Sequence, residues 1–87
     1  MPRYFFNLYN DVDSTDEEGR EWPDLDSARR AAVEDARHMA AESLRHGHLN
    51  LSHFVEVTVE NRQVLFKVTF GEVVTITSDS DAEKTAD

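Results

Sequence analysis

The sequence predicts an α+β domain of β-α-β-β order, one amphipathic helix packed on a three- or four-stranded antiparallel sheet. Three observations predict it: an aromatic run at period two near the start, a long Ala/Arg-rich stretch at period 3.6, and two Val-rich runs at period two that can face each other as a hairpin. A chain of 87 residues has room for a single core. One domain is expected over residues 1–77.

Residues Arg3 to Tyr9 read as a strand, with Tyr4, Phe6 and Leu8 on one face and Phe5, Asn7 and Tyr9 on the other. From Asn10 the chain turns polar and acidic through Asp11, Asp13, Asp16, Glu17 and Glu18 to Gly19, the composition of a solvated loop. A short strand at Arg20 to Trp22 can follow. Pro23-Asp24-Leu25-Asp26-Ser27 supplies helix start signals, and Asp26 is the expected N-cap. Leu25, Ala28, Ala32, Ala36, Met39, Ala40, Ser43 and Leu44 then form one stripe, opposite a polar face carrying Arg30, Glu34, Arg37, His38 and Arg45, and the helix stops before Gly47. A stripe of alanines lets a helix backbone approach a sheet closely.

Phe54 to Glu60 and Gln63 to Phe70 form the hairpin. A tight turn at Asn61 and Arg62 sets Val59 against Val64, Val57 against Phe66 and Val55 against Val68, all facing the helix. The same register puts Glu56 against Lys67 and Thr58 against Leu65 on the outer face. Arg62 is a poor second residue for a type I′ turn, so a slightly longer loop is the alternative. Val73 to Thr77 is expected to add a short strand after Gly71, and residues 78–87 to form a disordered acidic tail.

Charge and motif content narrow the function. Eighteen acidic against nine basic residues give a net charge of −9, which repels phosphate backbones and anionic lipid, so no nucleic-acid or membrane partner is expected. The absence of cysteine and of a signal-peptide pattern points to the cytoplasm. No cofactor is expected, since neither a Walker loop nor a dinucleotide fingerprint can be written. Asp11, Asp13 and Thr15 start like a calcium loop, but Asp16 and Trp22 stand where that loop needs Gly and Glu. His38, His46, His48 and His53 lie on segments that give zinc no common centre. With no catalytic or metal constellation, the domain reads as a non-enzyme.

The outer sheet face is more informative, because Phe5 and Tyr9 would share it with Phe54 and Leu65, and four apolar residues on an open face mark a protein contact. The acidic loop or the Val73 to Ile76 segment folding over them is the alternative. Trp22 is either a cap on the core edge or an exposed anchor for a partner. The expected role is a small interaction or regulatory module, a homodimer first and an antitoxin that neutralises a basic ribonuclease second.

Taken jointly, Arg3-Tyr4-Phe5-Phe6-Asn7-Leu8, Asp16-Glu17-Glu18-Gly19-Arg20-Glu21 and Pro23-Asp24-Leu25 before an Ala/Arg-rich helix resemble a family of small bacterial proteins, common in rhizobia, known only as a domain of unknown function. The likeness covers about residues 2–70. Trp22 stands where that family usually has an aliphatic residue, and the hairpin turn lacks its glycine. The resemblance implies a bacterial cytoplasmic protein and assigns no site residue. Trp22-Pro23-Asp24-Leu25 is also similar to the Phe-Pro-Asp-Leu segment of HicB-like antitoxin domains, a likeness of shape.

Overall fold

Antiparallel pairing with β-branched and aromatic residues organises the chain, which the computed structural model describes over residues 2–10 and 13–78. Strand β1 (Arg3–Tyr9) is followed by a two-residue strand β2 (Arg20–Glu21), helix α1 (Leu25–Arg45), strands β3 (Phe54–Thr58) and β4 (Val64–Thr69), and a short 3₁₀ helix at Gly71–Val73. The sheet order is β2-β1-β3-β4 with every pair antiparallel. The expected α+β architecture is therefore present: one helix packs against β3 and β4, on one face of the sheet.

The core between these layers is built from Tyr4, Val55, Val57, Val68, Phe70 and Val73 below Ala28, Ala32, Ala36 and Ala40, with Phe6, Leu8, Met39 and Phe66 packed at its margin. Four alanines at spacing four make a flat helix surface, so the valines of β3 meet the helix backbone without a layer of large side chains between. Leu25 and Leu44 do not belong to this stripe. They sit at the two ends of α1, and Leu44 is 61% exposed.

Asp24 caps the helix, not Asp26: its side chain accepts the Ser27 N–H at 2.8 Å. Its extended backbone (φ −157°) is the conformation a cap needs, while Asp26 already lies inside the first turn. At the other end Gly47 (φ +96°) donates to the Leu44 carbonyl and His48 to that of Ser43, the paired bonds of a Schellman motif.

The hairpin departs from the expected register near its turn. Val55↔Val68, Glu56↔Lys67 and Val57↔Phe66 pair as anticipated, but Thr58 then pairs with Val64, and Val59 does not face Val64. The cause lies in the loop. Arg62, at φ +66°, donates its N–H to the Val59 carbonyl at 2.8 Å, and Val59 N–H donates to Gln63, so the loop has three residues, Glu60 to Arg62. Continued without correction, that register would turn Leu65 and Lys67 toward the helix. A bulge that leaves Leu65 unopposed restores parity and returns Phe66 and Val68 to the core.

The expected strand at Val73–Thr77 is absent, replaced by the 3₁₀ turn. Burial at Phe70 and Val73 has a spacing of three, which a helical turn satisfies and a strand does not. Thr69 and Glu72 fix the turn reciprocally: Glu72 Oε2 accepts the Thr69 N–H at 2.9 Å and Thr69 Oγ1 accepts the Glu72 N–H at 3.2 Å. Arg37 of α1 then donates Nε–H to the Val73 carbonyl at 2.8 Å. The expected disordered tail lies outside the described residues apart from Ser78. Among the described residues no helix is long and apolar enough to cross a membrane.

Candidate functional site: the outer face of the sheet

Register fixes what the uncovered face presents. Outward positions line up in three rows across β1, β3 and β4: Phe5–Thr58–Val64, Asn7–Glu56–Lys67 and Tyr9–Phe54–Thr69. Tyr9 and Phe54 stack with ring centroids 4.9 Å apart, and Lys67 Nζ lies 4.7 Å from the centre of the Phe54 ring. Glu56 Oε1 accepts the Tyr9 hydroxyl at 3.3 Å and the Asn7 amide at 3.4 Å. The negative charge of Glu56, followed by partial burial and that hydrogen bond, raises the Tyr9 pKa above its ordinary value.

Four of the five residues singled out in the sequence thus divide into two groups on this face, and the polar middle row separates them. Tyr9 and Phe54 form one group. Phe5 forms the other with Val64, which is 52% exposed, beside the bulged Leu65, which is 38% exposed. Trp22 lies apart, packed against the core on the helix side. The Arg20 guanidinium sits between the Phe6 and Trp22 rings, 5.1 and 5.5 Å from their centres, and pairs with Asp35 at 3.2 Å. Burial raises the Asp35 pKa, and the Arg20 charge partly opposes that shift.

The acidic loop shapes the Phe5 end. Leu8 and Ser14 exchange both backbone hydrogen bonds at 2.8 Å, and β2 pairs with Arg3 and Tyr4, so the loop is tied to the β1 edge at two points. Between them Asp16 takes the part of a missing strand. Its Oδ2 accepts the Phe6 N–H at 3.1 Å, its Oδ1 accepts Gly19 N–H at 3.0 Å and Glu18 N–H at 3.2 Å, and its own N–H donates to Asn7 Oδ1 at 2.9 Å. Burial works to raise the Asp16 pKa, but the hydrogen bonds from Gly19, Phe6 and Glu18 outweigh it and hold the carboxyl below its ordinary value. Gly19, at φ +70°, lies so close to β1 that a Cβ there would sit 2.9 Å from both Arg3 Cγ and the Phe5 ring.

Loop and hairpin turn together line a depression of about 300 Å³, to which Phe5, Thr58, Asp16, Glu17, Glu60 and Arg62 contribute. Thr58, which lines it, is only 6% exposed. Sequence pattern alone gives Asn7, Asp16 and Thr58 no site role. The available signal was the Asp16-x-x-Gly19 spacing of a side-chain-closed turn, next to polar residues at outward strand positions. Among the described residues no group of three or more His, Asp or Glu is arranged to hold a metal ion.

A four-stranded antiparallel sheet with one helix on one face and a loop strapped to its edge defines a small α+β domain with an open sheet surface. The family model described as a domain of unknown function, DUF6894, matches residues 3–71, which span β1 to the start of the 3₁₀ turn, and the chain belongs to that family. No curated protein and no solved structure matches the chain.

Proposed function

We propose that the domain is a non-catalytic protein-interaction module that works through the outer face of its sheet, with a second copy of itself as the first partner. The observation that carries this reading is the pairing of exposed apolar groups, Val64 and Leu65, with an edge strand, β4, on a face that α1 does not cover. Apolar surface there gains about 25 cal/mol for each Å² withdrawn from water, and the free edge of β4 offers backbone hydrogen bonds. The carboxylates of the face suit a structural part: Glu56 holds Tyr9 and Asn7, and Asp16 holds the loop. The reading extends to a regulatory or adaptor role in the bacterial cytoplasm.

Size-exclusion chromatography with light scattering over a range of concentrations tests it. A dimer is expected, and Leu65→Ser and Phe54→Ser should each move it toward monomer with an unchanged circular dichroism spectrum. A monomer at every concentration, for wild type and variants alike, overturns self-association.

A second reading follows from the charge of the loop, where Asp13, Asp16, Glu17, Glu18 and Glu21 outnumber Arg20. An antitoxin-like protein would use such a surface to occupy the RNA-binding face of a basic ribonuclease. A short basic reading frame beside this gene, whose product co-purifies with the domain, supports that reading, and an isolated gene opposes it.

A further inference from the structure

We propose that the Arg20 side chain is an acid-released latch: paired with Asp35 it holds Trp22 against the gap between β1 and α1, and when Asp35 takes up a proton the latch lets go and opens an apolar groove along the helix. The inference concerns the helix side of the sheet and stands apart from the outer-face reading.

The geometry begins with what the helix leaves open. α1 packs on β3 and β4, and two depressions lie along it on the side of β1 and β2. One, of about 250 Å³, is lined by Phe6, Leu8, Met39 and Val55 with Asp35 and His38. The other, of about 330 Å³, is lined by Trp22 and Pro23 against Ser27 and Ala31 of the helix. The Arg20 guanidinium touches the lining of both. It lies 5.1 Å from the centre of the Phe6 ring, 5.5 Å from that of Trp22 and 3.2 Å from Asp35 Oδ2. All three contacts use its positive charge, and the carboxylate supplies the only opposite charge among them.

Two observations show that the closed arrangement is held against opposition. The Trp22 Nε1–H is buried without an acceptor among the described residues, and release toward water supplies one. Asp35 is held charged in a partly dry place. The groups that face it are Arg20 from β2, Asp16 from the loop and His38 on its own helix; burial raises its pKa, Arg20 and His38 oppose the rise, and Asp16 adds to it. The net shift is upward, so the fold favours the neutral carboxyl, and protonation relieves a cost while it frees Arg20. Asp16 is shifted the other way. As pH falls Asp35 therefore protonates first, while the loop is still strapped to β1.

Trp22 is the only tryptophan of the chain, so the intrinsic emission of the full-length protein reads the latch directly. On acidification from neutral pH a red shift and stronger quenching by acrylamide are expected, with a midpoint above the ordinary aspartate value of about 3.9 and ahead of any loss of far-UV circular dichroism. Asp35→Asn should show the shifted emission already at neutral pH, with no acid step and no loss of thermal stability. Arg20→Gln should show the same emission, and His38→Gln should keep the acid step. Emission that moves only together with circular dichroism, or an Asp35→Asn protein with wild-type emission and an intact step, overturns the latch. A step that His38→Gln abolishes and Asp35→Asn keeps moves the switch to the histidine and overturns the role of Asp35. None of these readings depends on oligomeric state, so a working latch in a strictly monomeric protein removes the outer-face contact alone, and a dimer without the acid step removes the latch alone.

Discussion

Replacing Asp16 should loosen the whole β1 edge, because one carboxylate there does the work of a strand. Three N–H groups lose their acceptor in Asp16→Ala: Phe6 at 3.1 Å, Gly19 at 3.0 Å and Glu18 at 3.2 Å. Hydrogen bonds to a charged acceptor contribute about 1.5–3 kcal/mol each when the donor would otherwise stay dry. Glu18 is exposed and water replaces most of its bond, so the loss falls mainly on the partly buried Phe6 and Gly19 donors. A destabilisation of about 2–3 kcal/mol follows, a large share of the stability of a domain this small, and about 10–20 °C in Tm. Asp16→Asn keeps Oδ1 as acceptor for Gly19 and Glu18 and should lose about half as much. The pH dependence has a definite sign. A carboxyl whose folded pKa lies below its unfolded value contributes stability above the unfolded pKa, near 3.9, and that contribution fades as pH falls through the folded value. Urea unfolding of wild type and Asp16→Asn should therefore converge in the acid range below about pH 4. An Asp16→Ala variant within about 0.5 kcal/mol of wild type at neutral pH would refute the argument that the carboxylate carries the edge.

Other consequences concern the backbone. Arg62→Gly relieves a left-handed residue and should stabilise the domain by about 0.5–1 kcal/mol in chemical denaturation, the gain being trimmed by the unfolded-state entropy of glycine. Gly19→Ala places a Cβ 2.9 Å from Arg3 Cγ and the Phe5 ring at φ +70°, and a loss of about 2 kcal/mol is expected by the same assay. Asp24→Ala should cost about 1 kcal/mol through the lost Ser27 cap, while Asp26→Ala stays within about 0.5 kcal/mol, and thermal melts of the two variants rank them.

Periodicity made the layers legible. Alanines at spacing four in the helix and valines at spacing two in the hairpin specify which faces meet, and the structure joins them as expected. What periodicity could not supply was the point where local geometry changes the count. Arg62 occupies a left-handed position usually filled by glycine, so the three-residue loop left no compositional trace, and the bulge at Leu65 depends on that loop. The strand expected at Val73–Thr77 illustrates a different limit: β-branched composition favoured extension, while the Thr69–Glu72 pair and burial at Phe70 and Val73 required a turn. At the candidate site the apolar outward residues were legible one by one, but not their division by Glu56 into two groups. The Asp16 strap was hidden because it pairs positions ten residues apart through a side chain, which no strand pattern encodes.

The central claim is that the outer face and β4 edge form a contact surface, and amide hydrogen–deuterium exchange at low and high protein concentration tests it most directly. Slower exchange at residues 64–69 on concentrating the protein, with α1 unchanged, is the predicted result. Exchange at β4 that is independent of concentration, or protection that appears on α1 instead, would contradict it.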